Sequence, residues 1–469
     1  MTGLVLRGVE VGGALVDVRC DGGTVSAIGP TVPLIRSDDL IDARGGALLP
    51  GLNDHHLHLL AIAAADRSVR IGPPEVTSAG ALALSLRQAD RGLPPGDWIR
   101  AVGYHESVAG PLDRGALDAL VAHRPVRVQH RSGALWVLNS LAGELVGLRA
   151  GPMPPGAEVD AHGEATGRLF REDTWLRAHL PPEPAPDLTA VGRRLARYGV
   201  TGLTDATPST RPEDLRLLAD AGLAQHLQLT GGPALSSAHF PDDVARGPVK
   251  VVVTDHDLPT LDELVGWFTT AHAMGRAVAV HCVSRVTLVL ALTAWEDAGV
   301  RPGDRIEHAS VVPAELIQRI AELDLRVVTQ PNFIAERGDQ YRREVDADEV
   351  ADLYRCRSLM EAGIPVAAGT DAPFGNPDPW KAISAAIDRR TPTGHVLGEH
   401  ERVDPQDALD LFLSPLDQPG GPARQLRLGA SADLVLLGAP LADVLRAPSA
   451  DAVELTVIDG RVVYRRGFS

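Results

Sequence analysis

The stretch GLNDHHLH, residues 51–58, decides how the rest of the chain is read. His56 and His58 are two apart. On a strand, residues i and i+2 project from one face, and His55 projects from the other. In a parallel strand buried on both faces, the His56/His58 face points into an interior. Paired imidazoles there are costly unless they bind something, and neutral imidazole is the commonest metal ligand. The competing reading is a polar loop that happens to hold histidines, because this spacing is common on its own. His55 is expected to be structural.

Working outward, Leu52–His58 is the first of eight apolar strand candidates. The others are Val200–Ala206, His226–Thr230, Val249–Thr254, Ala277–Cys282, Arg305–Ala309, Arg326–Gln330 and Val366–Asp371. Helix-patterned stretches such as LDELVGWFTTAHAMG (261–275) and PAELIQRIAEL (313–323) lie between them. Apolar strands alternating with helices mean an α/β fold with parallel strands, and eight such units make a (β/α)8 TIM barrel. The first and second strands are separated by about 140 residues, too many for a structureless connection. Strand candidates at Trp98–Gly103 and Val126–His130 fall in this stretch, so 65–190 is read approximately as an inserted subdomain. The proline-rich PPEPAP (181–186) reads as a stiff linker.

Both ends of the chain are β-rich. Leu4–Leu6, Ala14–Val18, Thr24–Ile28 and Asp42–Leu49 are short strand candidates punctuated by Gly and Asp. LGASADLVLLGAP (428–440) and ELTVIDGRVVYRRG (454–467) repeat the pattern, the second with a hairpin turn at Asp459-Gly460. The expected layout is a small β-sandwich domain from residues 1–50 and 425–469, with 51–424 forming the barrel and its insertion.

Composition narrows the function. The 469 residues are 44% hydrophobic and 23% charged, ordinary for a globular chain. A net charge of −16 argues against nucleic acid or an anionic membrane as partner. No apolar run approaches the ~20 residues of a membrane span, and the N-terminus lacks a signal-peptide pattern. Cys20, Cys282 and Cys356 are widely spaced and suggest no disulfide framework. The expectation is a soluble cytoplasmic protein with a small-molecule substrate; a homodimer is compatible with it.

Four positions join the histidine pair. His281, His308 and Asp371 sit at the ends of the fifth, sixth and eighth strand candidates. Barrel enzymes put their chemistry on the rim where those ends open. Each residue alone has a bland reading as a satisfied rim side chain; together they supply N and O donors suited to Zn²⁺ or a similar divalent ion. The fourth is Lys250. Only two of the 45 basic residues are lysines, Lys250 and Lys381. Lys250 lies among valines in GPVKVVVTD, where burial lowers an ammonium's pKa. A neutral amine reacts with CO₂ to give a carbamate that can bridge two cations, which a guanidinium cannot do. An outward lysine paired with a helix carboxylate is the alternative. Lys381 has no comparable argument.

In order, PGLNDHHLH, GVTGLTDAT, VKVVV, VAVHC, RIEHAS and GIPVAAGTDAP resemble the amidohydrolase superfamily of metal-dependent barrel hydrolases. DARGGALLPG and LRLGASADLVLL match its terminal pattern, and HRSGALWVLNS (130–140) with DAHGEATGRLF (160–170) resembles the YtcJ-like, amidohydrolase-3 group. The resemblance implies His56 and His58 on one metal, His281 and His308 on a second metal or on substrate, Asp371 as ligand and general base, and Lys250 as a carboxylated bridge. The group places a Glu soon after the Thr-Gly of the insertion; here Arg171 stands at that offset and Glu172 one residue later, so Glu172 competes with Lys250 for the bridge.

The implied reaction is hydrolysis of a non-peptide C–N bond, in an N-acyl or N-formyl amine or a cyclic amide, by metal-activated water with Asp371 as base and His281 or His308 near the oxyanion. Deamination, or ester, lactone or carbamate hydrolysis, would use the same residues, and a non-catalytic scaffold is the remaining class. His130, Trp136, Asn139 and Arg285 are the candidate substrate contacts. The charged segment 335–346 reads as a solvated loop or helix face, or a lid.

Overall fold

The computed structural model describes residues 3–36, 38–148, 152–182 and 186–467. It divides into two compact units, one of residues 1–59 with 187–469 and the other of 60–186. The PPEPAP segment falls partly outside the described residues.

The larger unit contains all eight expected parallel strands: Leu52–Leu57, Val200–Asp205, His226–Leu229, Val249–Val252, Val278–Cys282, Arg305–His308, Arg326–Thr329 and Val366–Ala368. A further short strand, Val244–Arg246, was not expected; its sequence, PDDVARGP, offers no apolar run. The strands form two parallel arcs. One runs Val244–Arg246, His226–Leu229, Val200–Asp205, Leu52–Leu57; the other runs from Val249–Val252 through the remaining strands in chain order. Hydrogen bonds join the arcs at both ends. Asp371 N donates to His56 O at 2.7 Å and His58 N to Ala372 O at 2.9 Å, while Lys250 N donates to Gly231 O at 3.0 Å.

Strand burial is nearly complete. Every residue of Leu52–Leu57, Val200–Asp205 and Arg305–His308 is buried, as parallel strands covered on both faces require. Helices follow where apolar spacing and caps place them. Leu261–Ala273 starts at a capping box in which Thr260 and Glu263 bond each other's backbone N–H. The charged 335–346 segment continues the helix Asn332–Glu344.

Chain ends supply two four-stranded sheets. One is ordered Thr24–Gly29, Ala14–Asp21, Leu4–Val11, Asp39–Asp42; the other Arg461–Arg465, Val453–Ile458, Leu434–Leu437, Leu48–Pro50. They share one apolar cluster, with Leu4, Leu6, Val9 and Val18 from the first and Leu48, Leu434, Leu436 and Leu455 from the second. The Asp459-Gly460 hairpin has φ of 50° and 74°, the left-handed pair that a two-residue turn needs.

The smaller unit is built on a six-stranded sheet, ordered Ala157–Val159, Ala165–Phe170, Leu135–Leu138, Val126–His130, Ile99–Tyr104, Val69–Arg70. Separate apolar clusters, around Leu86, Ile99 and Val128 and around Trp136, Leu138 and Leu169, pack against it. Among the described residues no helix is long and apolar enough to cross a membrane. Cys20, Cys282 and Cys356 are free and buried.

Candidate metal centre

His56, His58 and Asp371 offer ligand atoms that all lie within 4.8 Å of one another. Asp371 Oδ1 is 3.1 Å from His58 Nε2 and 3.5 Å from His56 Nε2. The His308 ring stands 4.7 Å from His56 and 4.4 Å from His281, centroid to centroid. Five of the sequence-derived residues therefore meet at the C-terminal ends of their strands.

Each side chain is aimed by a partner. His56 Nδ1 lies 2.5 Å from Glu307 Oε2, so the ring donates there and turns Nε2 to the centre. His58 Nδ1 contacts Thr207 Oγ1 at 3.1 Å. His308 Nδ1 meets Gln330 Oε1, an acceptor, at 2.7 Å, which again leaves Nε2 as the lone-pair nitrogen. Asp54 locks the first strand to the eighth: its Oδ1 accepts from His56 N and Thr370 N, and its Oδ2 accepts from Thr370 Oγ1 at 2.6 Å. His55, pointing away, bonds Ser414 Oγ at 3.0 Å.

Strand alternation would put Glu307 and His308 on opposite faces, yet both touch His56. The backbone explains it. His308 has φ 72° and Asp371 φ 53°, left-handed values that non-glycine residues adopt at a cost of ~1–3 kcal/mol. The turn at His308 breaks the period of two and brings neighbouring residues into one interior.

Burial sets the protonation states. Desolvation lowers the pKa of His56, takes His281 well below its usual range, and brings His308 down to about 3, so all three rings are neutral. Burial opposes the Asp371 carboxylate, but the hydrogen bond from His58 lowers its pKa below the usual range. Desolvation likewise opposes Glu307, and Arg305, Lys250 and His56 overcome it. The Lys250 ammonium is brought down to about 8 by desolvation. Its Nζ is buried, has no hydrogen-bond partner, and lies 3.9 Å from Glu307 Oε1.

Neutral imidazoles beside an ionised carboxylate, with an orphaned buried amine, fit a divalent cation better than an apolar core. The donors are the N and O set that zinc-class ions take.

The remaining candidates lie elsewhere. Asn139 commits both ends of its amide to backbone: Nδ2 donates to Val121 O and Arg124 O, and Oδ1 accepts from Val126 N and Ala142 N. Trp136 is 4% exposed and donates from Nε1 to Asp173 Oδ1 at 2.8 Å. Arg285 is exposed and pairs with Glu315 at 2.8 Å. These three, expected as substrate contacts, make the contacts just described. His130 sits in the smaller unit beside His105 and Glu106. Glu172 accepts from Gly156 N at 2.7 Å within that unit. Lys381 is exposed in the helix Pro379–Asp388. The sequence reading missed Glu307 and Asp54. Arg305 and Glu307, two charges on one face of an apolar strand, were the available signal.

Such a fold, with histidines and an aspartate converging on the rim of parallel strands, defines a metal-dependent hydrolase. The amidohydrolase family model Amidohydro_3 matches residues 39–464, and the chain belongs to that family, in its YtcJ-like group. It is 26% identical to the amidohydrolase YtcJ of Bacillus subtilis, over 91% of this chain and 90% of that protein. It is 25% identical to the N-substituted formamide deformylase of Arthrobacter pascens, over 96% and 95%. Among solved structures it is similar to a metal-dependent hydrolase from Pyrococcus horikoshii, with a TM-score of 0.70 and 20% identity over 98% of this chain and 100% of that one.

Proposed function

We propose that the two arcs close as a (β/α)8 barrel and that this chain hydrolyses a non-peptide C–N bond, with N-formyl and N-acyl amines as the first substrate class. The observation that carries the reading is the convergence of His56, His58 and Asp371 within 4.8 Å beside two further neutral imidazoles. The full-length likeness to a formamide deformylase favours the N-formyl class.

His56, His58 and Asp371 would hold one divalent ion, Zn²⁺ by donor type, and His281 with His308 a second. His308 is assigned as ligand because its Nδ1 proton is committed to Gln330. Lys250, as a carbamate, would bridge the two; its unpartnered amine and a pKa brought down to about 8 support the modification. When bound, such ions lower the pKa of water toward about 7 and polarise a carbonyl. Asp371, ionised and fixed by its backbone bond to His56, takes the proton of the attacking water and delivers it to the leaving nitrogen. Glu307 and Gln330 keep their imidazoles in the tautomer that faces the centre.

The test is turnover of N-formyl and N-acyl amines by the zinc-reconstituted protein, followed by amine release. Activity is expected to disappear on chelation and return with the metal. Release of ammonia from amino-substituted rings, or turnover of esters alone, would overturn the C–N acyl reading while leaving the metal centre standing.

A further inference from the structure

The charged segment 335–346 brings an arginine to the neighbourhood of the metal centre. Arg337 lies in the helix Asn332–Glu344, which follows the seventh parallel strand. Its Nη2 donates to Phe374 O at 2.5 Å, and its guanidinium sits 4.2 Å from the centre of the Phe333 ring. Phe374 belongs to the turn that follows Asp371. Its N–H donates to Asp371 O at 2.8 Å, and its ring stands 5.4 Å from that of His58. Phe374 thus packs beside the candidate metal centre through its ring and fixes Arg337 through its carbonyl.

Most of the Arg337 donors have no use within the protein. Among the described residues, Nε and Nη1 have no hydrogen-bond partner, and no carboxylate pairs with the guanidinium. The adjacent Glu336 is committed elsewhere, its Oε1 accepting from Asn332 Nδ2 at 3.1 Å and from Asn376 N at 2.9 Å. Arg389 shows how this chain satisfies a guanidinium whose role is structural. Each of its nitrogens donates to a backbone carbonyl: Nε to Leu397 O, Nη1 to Tyr354 O and Nη2 to Leu353 O. Arg389 is fully buried, whereas Arg337 is only partly so, which leaves its unused edge open to a ligand. Burial opposes the Arg337 charge, but the neighbouring Tyr341, Tyr354, Glu336 and Asp371 raise its pKa. A planar cation with two free donor nitrogens on one edge is matched by a carboxylate, which can accept from both at once.

We propose that Arg337 binds a carboxylate on the amine half of the substrate, which makes N-formyl and N-acyl amino acids the preferred class. The C–N hydrolysis proposed above, on which this rests, returns the Asp371 proton to the leaving nitrogen. The amine half therefore lies on the Asp371 side of the centre, where the Phe374 turn holds Arg337. Water supplies OH to the acyl carbon and H to the nitrogen as the C–N bond breaks, so a carboxylic acid and the free amino acid leave. Arg337 takes no part in that proton transfer; it selects and holds the substrate.

The experiment compares N-formylphenylalanine with N-formylphenethylamine, which differ only in the carboxylate, on the zinc-reconstituted full chain. The wild-type protein is expected to favour the acid by at least ~10-fold in kcat/KM. Arg337→Gln keeps an N–H for Phe374 O and removes the charge. It should raise KM for the acid about 10- to 100-fold with little change in kcat, and affect the uncharged analogue far less. Arg337→Lys should recover part of the loss, because the charge remains while the two-pronged contact does not. Equal kcat/KM for the two compounds in the wild type, or equal losses on both in a folded Arg337→Gln protein, would overturn the proposal and leave formamide hydrolysis standing. Calorimetry with the same pair covers the case of no turnover. Tighter binding of the acid, abolished by Arg337→Gln, would then support the Arg337 subsite and refute formamide hydrolysis. The absence of any difference in binding would overturn the Arg337 assignment.

Discussion

Glu307 holds His56 by a 2.5 Å contact from its Oε2 to the ring Nδ1, joining the sixth parallel strand to the first. The same carboxylate accepts from Arg305 Nε at 2.8 Å and faces Lys250 Nζ at 3.9 Å. One buried anion thus aims a ligand and neutralises two cations.

Glu307→Gln keeps the shape of this group and removes its charge. In the metal-free, unmodified protein, Arg305 and the Lys250 ammonium would then be buried without compensation, a change worth ~3–5 kcal/mol of stability. The amide can still accept from His56, but more weakly, and metal affinity is expected to fall about 10- to 100-fold. Thermal melts and metal titration read the two effects separately. A variant with wild-type metal affinity would show that Glu307 balances charge without aiming His56.

Lys250→Arg retains the positive charge and loses the primary amine. A guanidinium cannot form the carbamate, and its larger head group would have to fit a buried position. The expected result is a loss of bound metal and at least a ~100-fold fall in kcat/KM, since a ligand is removed outright. Reconstitution of the wild-type apoprotein should depend on bicarbonate. Equal recovery in CO₂-free buffer would dismiss the bridging carbamate and leave a mononuclear centre to be tested.

Much of the site was legible because its residues terminate apolar strands. Val278–Cys282 and Arg305–His308 read as buried strands from their valines and isoleucine, and their histidines stood out against that background. Glu307 did not stand out because alternation puts it on the face opposite His308, and only the left-handed turn at His308 unites them. No pattern of apolar residues encodes such a turn. Asn139 and Trp136 stood out for a different reason. A polar or aromatic side chain in a distinctive motif looks like a ligand contact, whereas the hairpin needed an amide to satisfy four backbone groups. The signal was present: Asn139 precedes Ser140–Leu145 as its N-cap, a position where Asn is favoured for its own sake.

Gly369 marks how closely the eighth strand approaches the first. A Cβ there would lie 2.5 Å from both His56 N and His56 Cβ. Gly369→Ala should push the His56 backbone outward, costing ~1–3 kcal/mol as an overpacked contact and lowering metal content with it. Gly266→Ala is the matched control. It lies in the helix Leu261–Ala273 with open space around it, so alanine should raise the melting temperature through helix propensity, worth ~1 kcal/mol. A tolerated alanine at 369, with unchanged metal content, would mean that the two strands sit farther apart than this.

His226 ties the third parallel strand to the terminal sheets, and its effect should depend on pH. Its Nε2 lies 3.0 Å from Asp433 Oδ2 and 3.7 Å from Asp459 Oδ1. The Asp433 hydrogen bond raises the His226 pKa, with the charges of Asp433 and Asp459 adding to it and burial and the Arg424 charge opposing. Burial opposes the Asp433 carboxylate, but His226, Ser431 and the Asp459 backbone N–H keep its pKa below the usual range. A raised histidine pKa stabilises the fold fully below the unfolded value of about 6.5 and loses that contribution as pH rises through the folded value. Asp433 contributes above its ordinary value near 3.9 and withdraws its support as pH falls through its lowered one. The pair is therefore most stabilising in mildly acidic solution. His226→Gln should lower the melting temperature most near about pH 5.5 and hardly at all near about pH 9. Asp433→Asn should remove more, because Asp433 also accepts from Ser431 Oγ and Asp459 N. A His226→Gln deficit that stays constant from acid to alkaline pH would assign the contact to packing and remove the charge from the account.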